Sequence, residues 1–205
     1  MVEHRSSSST ADPVDSLRQE VAAFFAPPRW RSPLPDFEHS GYALVEQVRG
    51  WRPGFVVDVG CGDNPFKGRI PNLLGIDLVN PGADLVCDLL DAPIQPGSID
   101  VVLALGCINF GTRDVIEQQL RHVASWLTPA GRIVMRANPG LPTGSGLEFF
   151  PWSSTSVDTI GATAGLRRDG PIRCDTYRNP RGEREPRLVW QYRPVTAPHD
   201  PAATR

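Results

Sequence analysis

The stretch FVVDVGCGDNP, residues 55–65, is an apolar run that breaks into a glycine turn with an acid on either side. Phe55, Val56, Val57 and Val59 supply the near-continuous apolar pattern of a parallel strand covered on both faces. Asp58 interrupts it, and a carboxylate there is expensive to bury without a partner. Gly60 and Gly62 permit positive φ and let a ligand approach the backbone, while Asn64 and Pro65 suit the opening of a helix. The expected order is strand, glycine turn, helix.

That order also fits a dinucleotide site, where a third glycine lets a pyrophosphate settle on a helix N-terminus. Here Pro65 takes the third glycine's place, and Asp63 would set a carboxylate against the doubly charged pyrophosphate. A nicotinamide-dependent enzyme is therefore the weaker reading. A cofactor without phosphate and with a positive end meets no such repulsion.

Downstream, Leu73 to Ile76 form a second apolar strand ending at Asp77, 17 residues after Gly60. That is a usual spacing for an acid accepting hydrogen bonds from ribose hydroxyls. A third run, Ala83 to Val86, ends in Cys87 and Asp88, and a fourth, Ile99 to Leu105, ends in Gly106 and Cys107. Four strands thus end at one edge, where open α/β sheets bind ligands.

With these residues the chain resembles the class I S-adenosylmethionine-dependent methyltransferases. VDVGCGD is similar to that family's first motif, GID to its second acid, and CDL and SIDVVLALGCINF to its third and fourth segments, a likeness covering roughly residues 55–137. The resemblance implies an α/β fold, a doubly wound, mostly parallel Rossmann-like sheet of about seven strands with a C-terminal antiparallel hairpin. It implies S-adenosyl-L-methionine as cofactor. Gly60, Cys61 and Gly62 would wrap the methionine part, with Asp58 near its ammonium group. Asp77, with Leu78 beside it, would hold the ribose, Asp88 and Leu89 would meet the adenine, and Leu105 and Gly106 would close the site beneath. Small-molecule members often carry an acid and a histidine after the fourth strand, where Asn109 and Phe110 stand here. The NPPY-type signature of base-amine methylation is absent too, so a small-molecule acceptor is expected and nucleic acid is disfavoured.

At 205 residues the chain has room for one ordinary domain and short appendages. A formal charge of −2 carries no commitment to nucleic acid or an anionic membrane. The start, MVEHRSSSSTADP, lacks a signal-type apolar core, and no run approaches the ~18 apolar residues of a membrane helix. No membrane insertion and a cytoplasmic location are expected. Cys61, Cys87, Cys107 and Cys174 form no CxxC pair, so neither a metal site nor a disulfide framework is expected.

Three divisions follow. Residues 1–35 read as an N-terminal appendage: a polar, serine-rich start, a short helix from Asp15 to Phe25, then a proline-rich linker. Residues 36–194 read as the cofactor-binding domain and 195–205 as a flexible tail. Within the domain, helices are expected over Asp36–Arg49, Arg113–Leu127 and Ser153–Leu166, and a fifth strand over Arg132–Ala137. Asn138 to Pro151 reads as a long loop at the ligand edge, and Ile172–Tyr177 with Leu188–Tyr192 as a hairpin.

The sulfonium cofactor carries its own activated methyl group, so alignment and exclusion of water matter more than a base. If a proton must leave the acceptor, His39, Glu148 and Tyr42 are the candidate catalytic residues, with Glu38 and Ser40 nearby in sequence. His122 lies within a helix pattern and reads as structural or solvent-facing. Phe149, Phe150 and Trp152 either line an acceptor pocket or close an apolar cluster over the sheet edge. A non-catalytic cofactor-binding or assembly module of the same fold is the alternative function.

Overall fold

The computed structural model describes residues 13–26, 41–139, 146–178 and 184–195. Its helices are α1 (Pro13–Phe25), α2 (Leu44–Gly50), α3 (Arg113–Trp126) and α4 (Ser154–Thr163). Its strands are β1 (Val56–Val59), β2 (Leu73–Asp77), β3 (Leu85–Val86), β4 (Ile99–Ala104), β5 (Leu127–Ala137), β6 (Leu166–Arg168), β7 (Arg173–Arg178) and β8 (Arg184–Pro194). They form one eight-stranded sheet in the order β3-β2-β1-β4-β5-β8-β6, with β7 also paired to β8.

The five strands β1 to β5 run parallel, and β8 joins β5 antiparallel. The doubly wound sheet with a C-terminal antiparallel hairpin, formed by β7 and β8, is therefore present. It has one strand more than expected. Gly165, at φ 71°, ends the α4 segment and lets Leu166 start β6, where a continuous helix to Leu166 was expected. The helix expected from Asp36 begins only at Leu44, residues 36–40 lying outside the described residues.

Side chains alternate between the faces of the buried strands. Val57, Val59, Val102, Ala104, Ile133 and Met135 pack with Ile116, Leu120 and Val123 of α3 and with Val157 and Ile160 of α4. Val56, Leu73, Val101, Leu103 and Val134 pack with Val45 and Val48 of α2 and with Phe66 and Ile70. Each fully buried aliphatic side chain contributes roughly 1.5–3 kcal/mol. At the far edge the Tyr192 hydroxyl donates to the Val157 carbonyl at 2.6 Å, tying β8 to α4. Trp152, Trp190 and Tyr192 stack in series beside it.

One expectation fails outright: no helix opens at Asn64 and Pro65. Residues 60–72 cross from β1 to β2 through turns, because Asn64 adopts φ 55° and Gly68 φ 75°, and Pro71 follows close behind. Phe66 and Ile70 still cover the sheet as a helix would. Polar bonds replace the helical ones. Asp84 accepts from the Gly75 amide at 2.8 Å, from Asn64 Nδ2 at 3.1 Å and from Lys67 Nζ at 2.7 Å, while the same ammonium donates to the Leu73 carbonyl. Gly75 is required because a Cβ there would lie 2.7 Å from the Asn64 amide.

The Gly75 amide and then Lys67 hold the Asp84 carboxyl below its ordinary value. A depressed carboxyl stabilises the fold above its unfolded pKa and loses that contribution as pH falls through its folded one. Asp84→Ala is expected to lower stability by about 1.5–3 kcal/mol at neutral pH, less at acid pH, read by urea denaturation at several pH values.

Candidate functional site

Strand register brings several of the expected site residues to one edge of the sheet. Val59 pairs with Ile76 on one side and Ala104 on the other, and Asp77 pairs with Val86. The next residues along each strand, Gly60, Leu78, Cys87 and Leu105, therefore emerge at one edge. A cavity of about 260 Å³ opens there. Gly60, Asp77, Leu78, Asp88, Leu89, Leu105 and Gly106 line it; Asp58, Cys61 and Gly62 do not, Asp58 and Cys61 being buried and the Gly62 amide bonded to Asp77.

Gly60 turns the chain at φ 68°, and its amide donates to the Ile76 carbonyl at 2.8 Å. A Cβ at Gly60 would run into Cys107. Gly60→Ala is accordingly expected to lower stability by about 1–3 kcal/mol and to weaken any ligand in the cavity, measured by thermal denaturation and equilibrium binding.

Asp77 organises the turn. Its carboxylate accepts from the amides of Gly62 at 2.9 Å, Val79 at 3.0 Å and Asn80 at 2.8 Å, holding the glycine loop against the end of β2. Asn80 bonds onward to Asp63 at 2.7 Å, so Asp63 serves as a loop brace. Asp88 caps the 3-10 turn Leu89–Asp91 by accepting from the Leu90 amide.

Asp58 is 3% exposed, on the sheet face shared with Val56 and Arg136. Burial pushes its carboxyl up to about 8, the nearby Arg136 guanidinium pulling it down and Asp77 pushing it further up. Arg136 itself donates to the Leu105 carbonyl at 3.0 Å. Burial likewise raises the Cys61, Cys87 and Cys107 thiols, which keeps them protonated and poorly nucleophilic. Among the described residues no group of three or more His, Cys, Asp or Glu is placed to hold a metal, and no helix is long and apolar enough to cross a membrane.

The sequence reading missed the roof of the cavity. Val14, Leu17, Arg18, Val21 and Phe25 of α1 line it. Arg18 Nε lies 2.9 Å from Asp88 and Nη1 3.4 Å from Asp91. Leu17 packs on Gly111 so closely that a Cβ would not fit, and Phe25 meets Phe110 edge-on at 5.5 Å. The apolar stripe of α1 was legible as helical spacing, but no periodicity tells which cavity a helix covers. Phe110, Val115 and Gln119 complete the far wall. Arg136 had a signal, a charge inside the apolar strand IVMRA.

Of the candidate catalytic residues, Tyr42 and Glu148 do not line the cavity. His39 lies outside the described residues, as do Glu38 and Ser40. Tyr42 stacks on Phe66, carries the Arg69 guanidinium over its ring and donates to the Pro65 carbonyl at 3.3 Å. Glu148 is exposed, and its carbonyl accepts from Gly111. Phe150 and Trp152 belong to the main core, and Phe149 stacks on Phe110, so this aromatic run closes an apolar cluster. His122 packs edge-on against Trp126.

No protein-family model matches the chain. Among curated proteins it is 28% identical over 135 residues to the tRNA (carboxymethyluridine(34)-5-O)-methyltransferase ALKBH8 of Mus musculus, a match that takes in 60% of this chain and 19% of that protein. The chain thus spans about a fifth of the length of the curated relatives it matches. Among solved structures it superposes on the Burkholderia thailandensis 1,6-didemethyltoxoflavin-N1-methyltransferase, solved with 1,6-didemethyltoxoflavin and S-adenosylhomocysteine bound. The TM-score is 0.69 at 15% identity, over 95% of this chain and 94% of that one. Magnesium protoporphyrin IX methyltransferase from Synechocystis PCC 6803, with S-adenosylhomocysteine bound, gives a TM-score of 0.60 at 14% identity over 86% and 99% of the two chains. A glycine turn braced by Asp77, with the strand-end residue Asp88 across the same cavity, stands at the sheet edge of a chain that has the class I methyltransferase fold.

Proposed function

We propose that the chain is an S-adenosylmethionine-dependent methyltransferase acting on a small molecule. The observation that carries the proposal is the convergence of Gly60, Asp77, Asp88 and Leu105 on one cavity, with the buried Asp58 carboxyl two residues before Gly60. The residues fit the group. Gly60 gives the turn its positive φ, Asp77 keeps one lone-pair site on Oδ2 beyond its three amide bonds for a ribose hydroxyl, and Asp58 would be relieved by an ammonium ion. The charged groups on the lining are Arg18, Asp77 and Asp88, a balance that suits a sulfonium cation.

When bound, the cofactor supplies an activated methyl group. The protein's share is to orient the acceptor against it and to keep water out. The apolar stripe of α1 with Phe110 would do the second. A cavity of this size, lined mostly by apolar side chains, favours a compact acceptor over a polymer. The tRNA methyltransferase relative favours a second reading, in which an extruded nucleobase enters the same cavity.

Calorimetry with S-adenosylmethionine, S-adenosylhomocysteine and NAD tests the cofactor, with binding of the two sulfur compounds and none of NAD expected. Detectable NAD affinity alone would sink the proposal. Transfer of radiolabelled methyl to small heterocycles and, separately, to unfractionated tRNA then decides between the two acceptors.

A further inference from the structure

Two polar atoms of opposite kind stand on the cavity wall without hydrogen-bond partners. Arg18 Nε, a donor, and Gln119 Oε1, an acceptor, are both buried without a hydrogen-bond partner, and both residues line the cavity. Arg18 Nε is 2.9 Å from Asp88 Oδ2, yet its hydrogen does not point at that oxygen, so the pair is ionic while the N–H stays unspent. Gln119 lies one helical turn beyond Val115, which lines the cavity with it. Leaving either group buried and unmatched is destabilising, and a bound ligand would remove that penalty by offering one acceptor and one donor.

We propose that Arg18 and Gln119 read the pairing edge of the cofactor's adenine, Arg18 donating to ring nitrogen N1 and Gln119 accepting from the exocyclic amine. This rests on the cofactor reading above. It adds to it, because an acid at the end of β3 alone recognises an amine and says nothing of the neighbouring ring nitrogen. A donor and an acceptor on the lining of one cavity are the pattern that adenine complements and hypoxanthine does not. In hypoxanthine N1 carries a hydrogen that would face the Arg18 N–H, and a carbonyl oxygen replaces the amine and would face Gln119 and the Asp88 carboxylate. Arg18 comes from α1, so the same contact would hold the roof over the occupied site.

The test is equilibrium binding of S-adenosylhomocysteine and of its inosine analogue to the full chain and to Gln119→Leu, Gln119→Glu and Arg18→Met, with the thermal stability of each variant recorded. The wild type is expected to prefer the adenine compound by 100-fold or more. Gln119→Leu and Arg18→Met are each expected to lose about tenfold in affinity for it and to hold the inosine compound within twofold. Gln119→Glu, which retains the acceptor, is expected to keep most of the preference. An unchanged preference in both Gln119→Leu and Arg18→Met, or equal weakening of the two compounds, would overturn the assignment while leaving the cofactor reading intact. Failure of the wild type to bind either compound would overturn both.

Discussion

Asp77→Ala is expected to reduce affinity for S-adenosylhomocysteine by about 100-fold and to lower the melting temperature of the ligand-free protein. The two effects share a cause. The carboxylate accepts from three backbone amides, those of Gly62, Val79 and Asn80, and so fixes both the glycine loop and the turn after β2. Removing it leaves three amides seeking water at the sheet edge and takes away the acceptor for a ribose hydroxyl. A hydrogen bond to a charged group is worth about 1.5–3 kcal/mol, and each 1.4 kcal/mol is tenfold in affinity. One ribose contact at the upper end of that range therefore accounts for the expected loss before any loop disorder is counted. Asp77→Asn keeps one acceptor oxygen and turns an amide NH2 toward one of the donors, so its loss is expected to fall between wild type and alanine. Calorimetry gives the affinities and scanning fluorimetry the stabilities. Full affinity in Asp77→Ala would remove Asp77 from the ribose site.

What the chain's pattern revealed, and what it concealed, follows the range of the interactions involved. The strand ends were legible because apolar runs stop abruptly at Gly60, Asp77, Asp88 and Gly106, and parallel register then lines them up with no further information. The missing helix after β1 was not legible. Asn64 and Pro65 carry an ordinary helix-start signal, but the Asp84 network rewards a different path by bonding Asn64, Lys67 and Gly75 at once. Asp84 is distant in sequence, so local propensity cannot see it. The role of α1 was hidden for the same reason. Its stripe predicts burial, whereas its contact with Asp88 and Asp91 depends on how a segment more than sixty residues upstream crosses the sheet edge. Tyr42 shows the converse: proximity in sequence to the first motif suggested the site, and the side chain packs on Phe66 with a bond to Pro65.

The pH dependence of cofactor affinity should report Asp58 directly. Burial raises this carboxyl from 3.8 to about 8, so the ligand-free protein at neutral pH holds Asp58 mostly protonated. An acid with a raised folded pKa stabilises the fold fully below its unfolded pKa, and that contribution drains away as pH rises through the folded value. Ligand-free stability is therefore expected to decline between about pH 4 and pH 8 through this group. A cationic ammonium beside Asp58 inverts the preference, because it favours the carboxylate. Binding must then expel a proton at any pH below about 8, and affinity should rise up to about tenfold per pH unit from pH 6 toward 8. Calorimetry in buffers of different ionisation enthalpy counts the proton released. Asp58→Asn should flatten the affinity profile, abolish the proton release, weaken binding most at pH 8 and leave the ligand-free protein more stable there than wild type. The last two changes have opposite signs in one variant, which general damage to the fold cannot produce. A wild-type affinity that is level from pH 6 to 8, with no proton released, would show that the ammonium group sits elsewhere and that the buried carboxyl stays neutral in the complex.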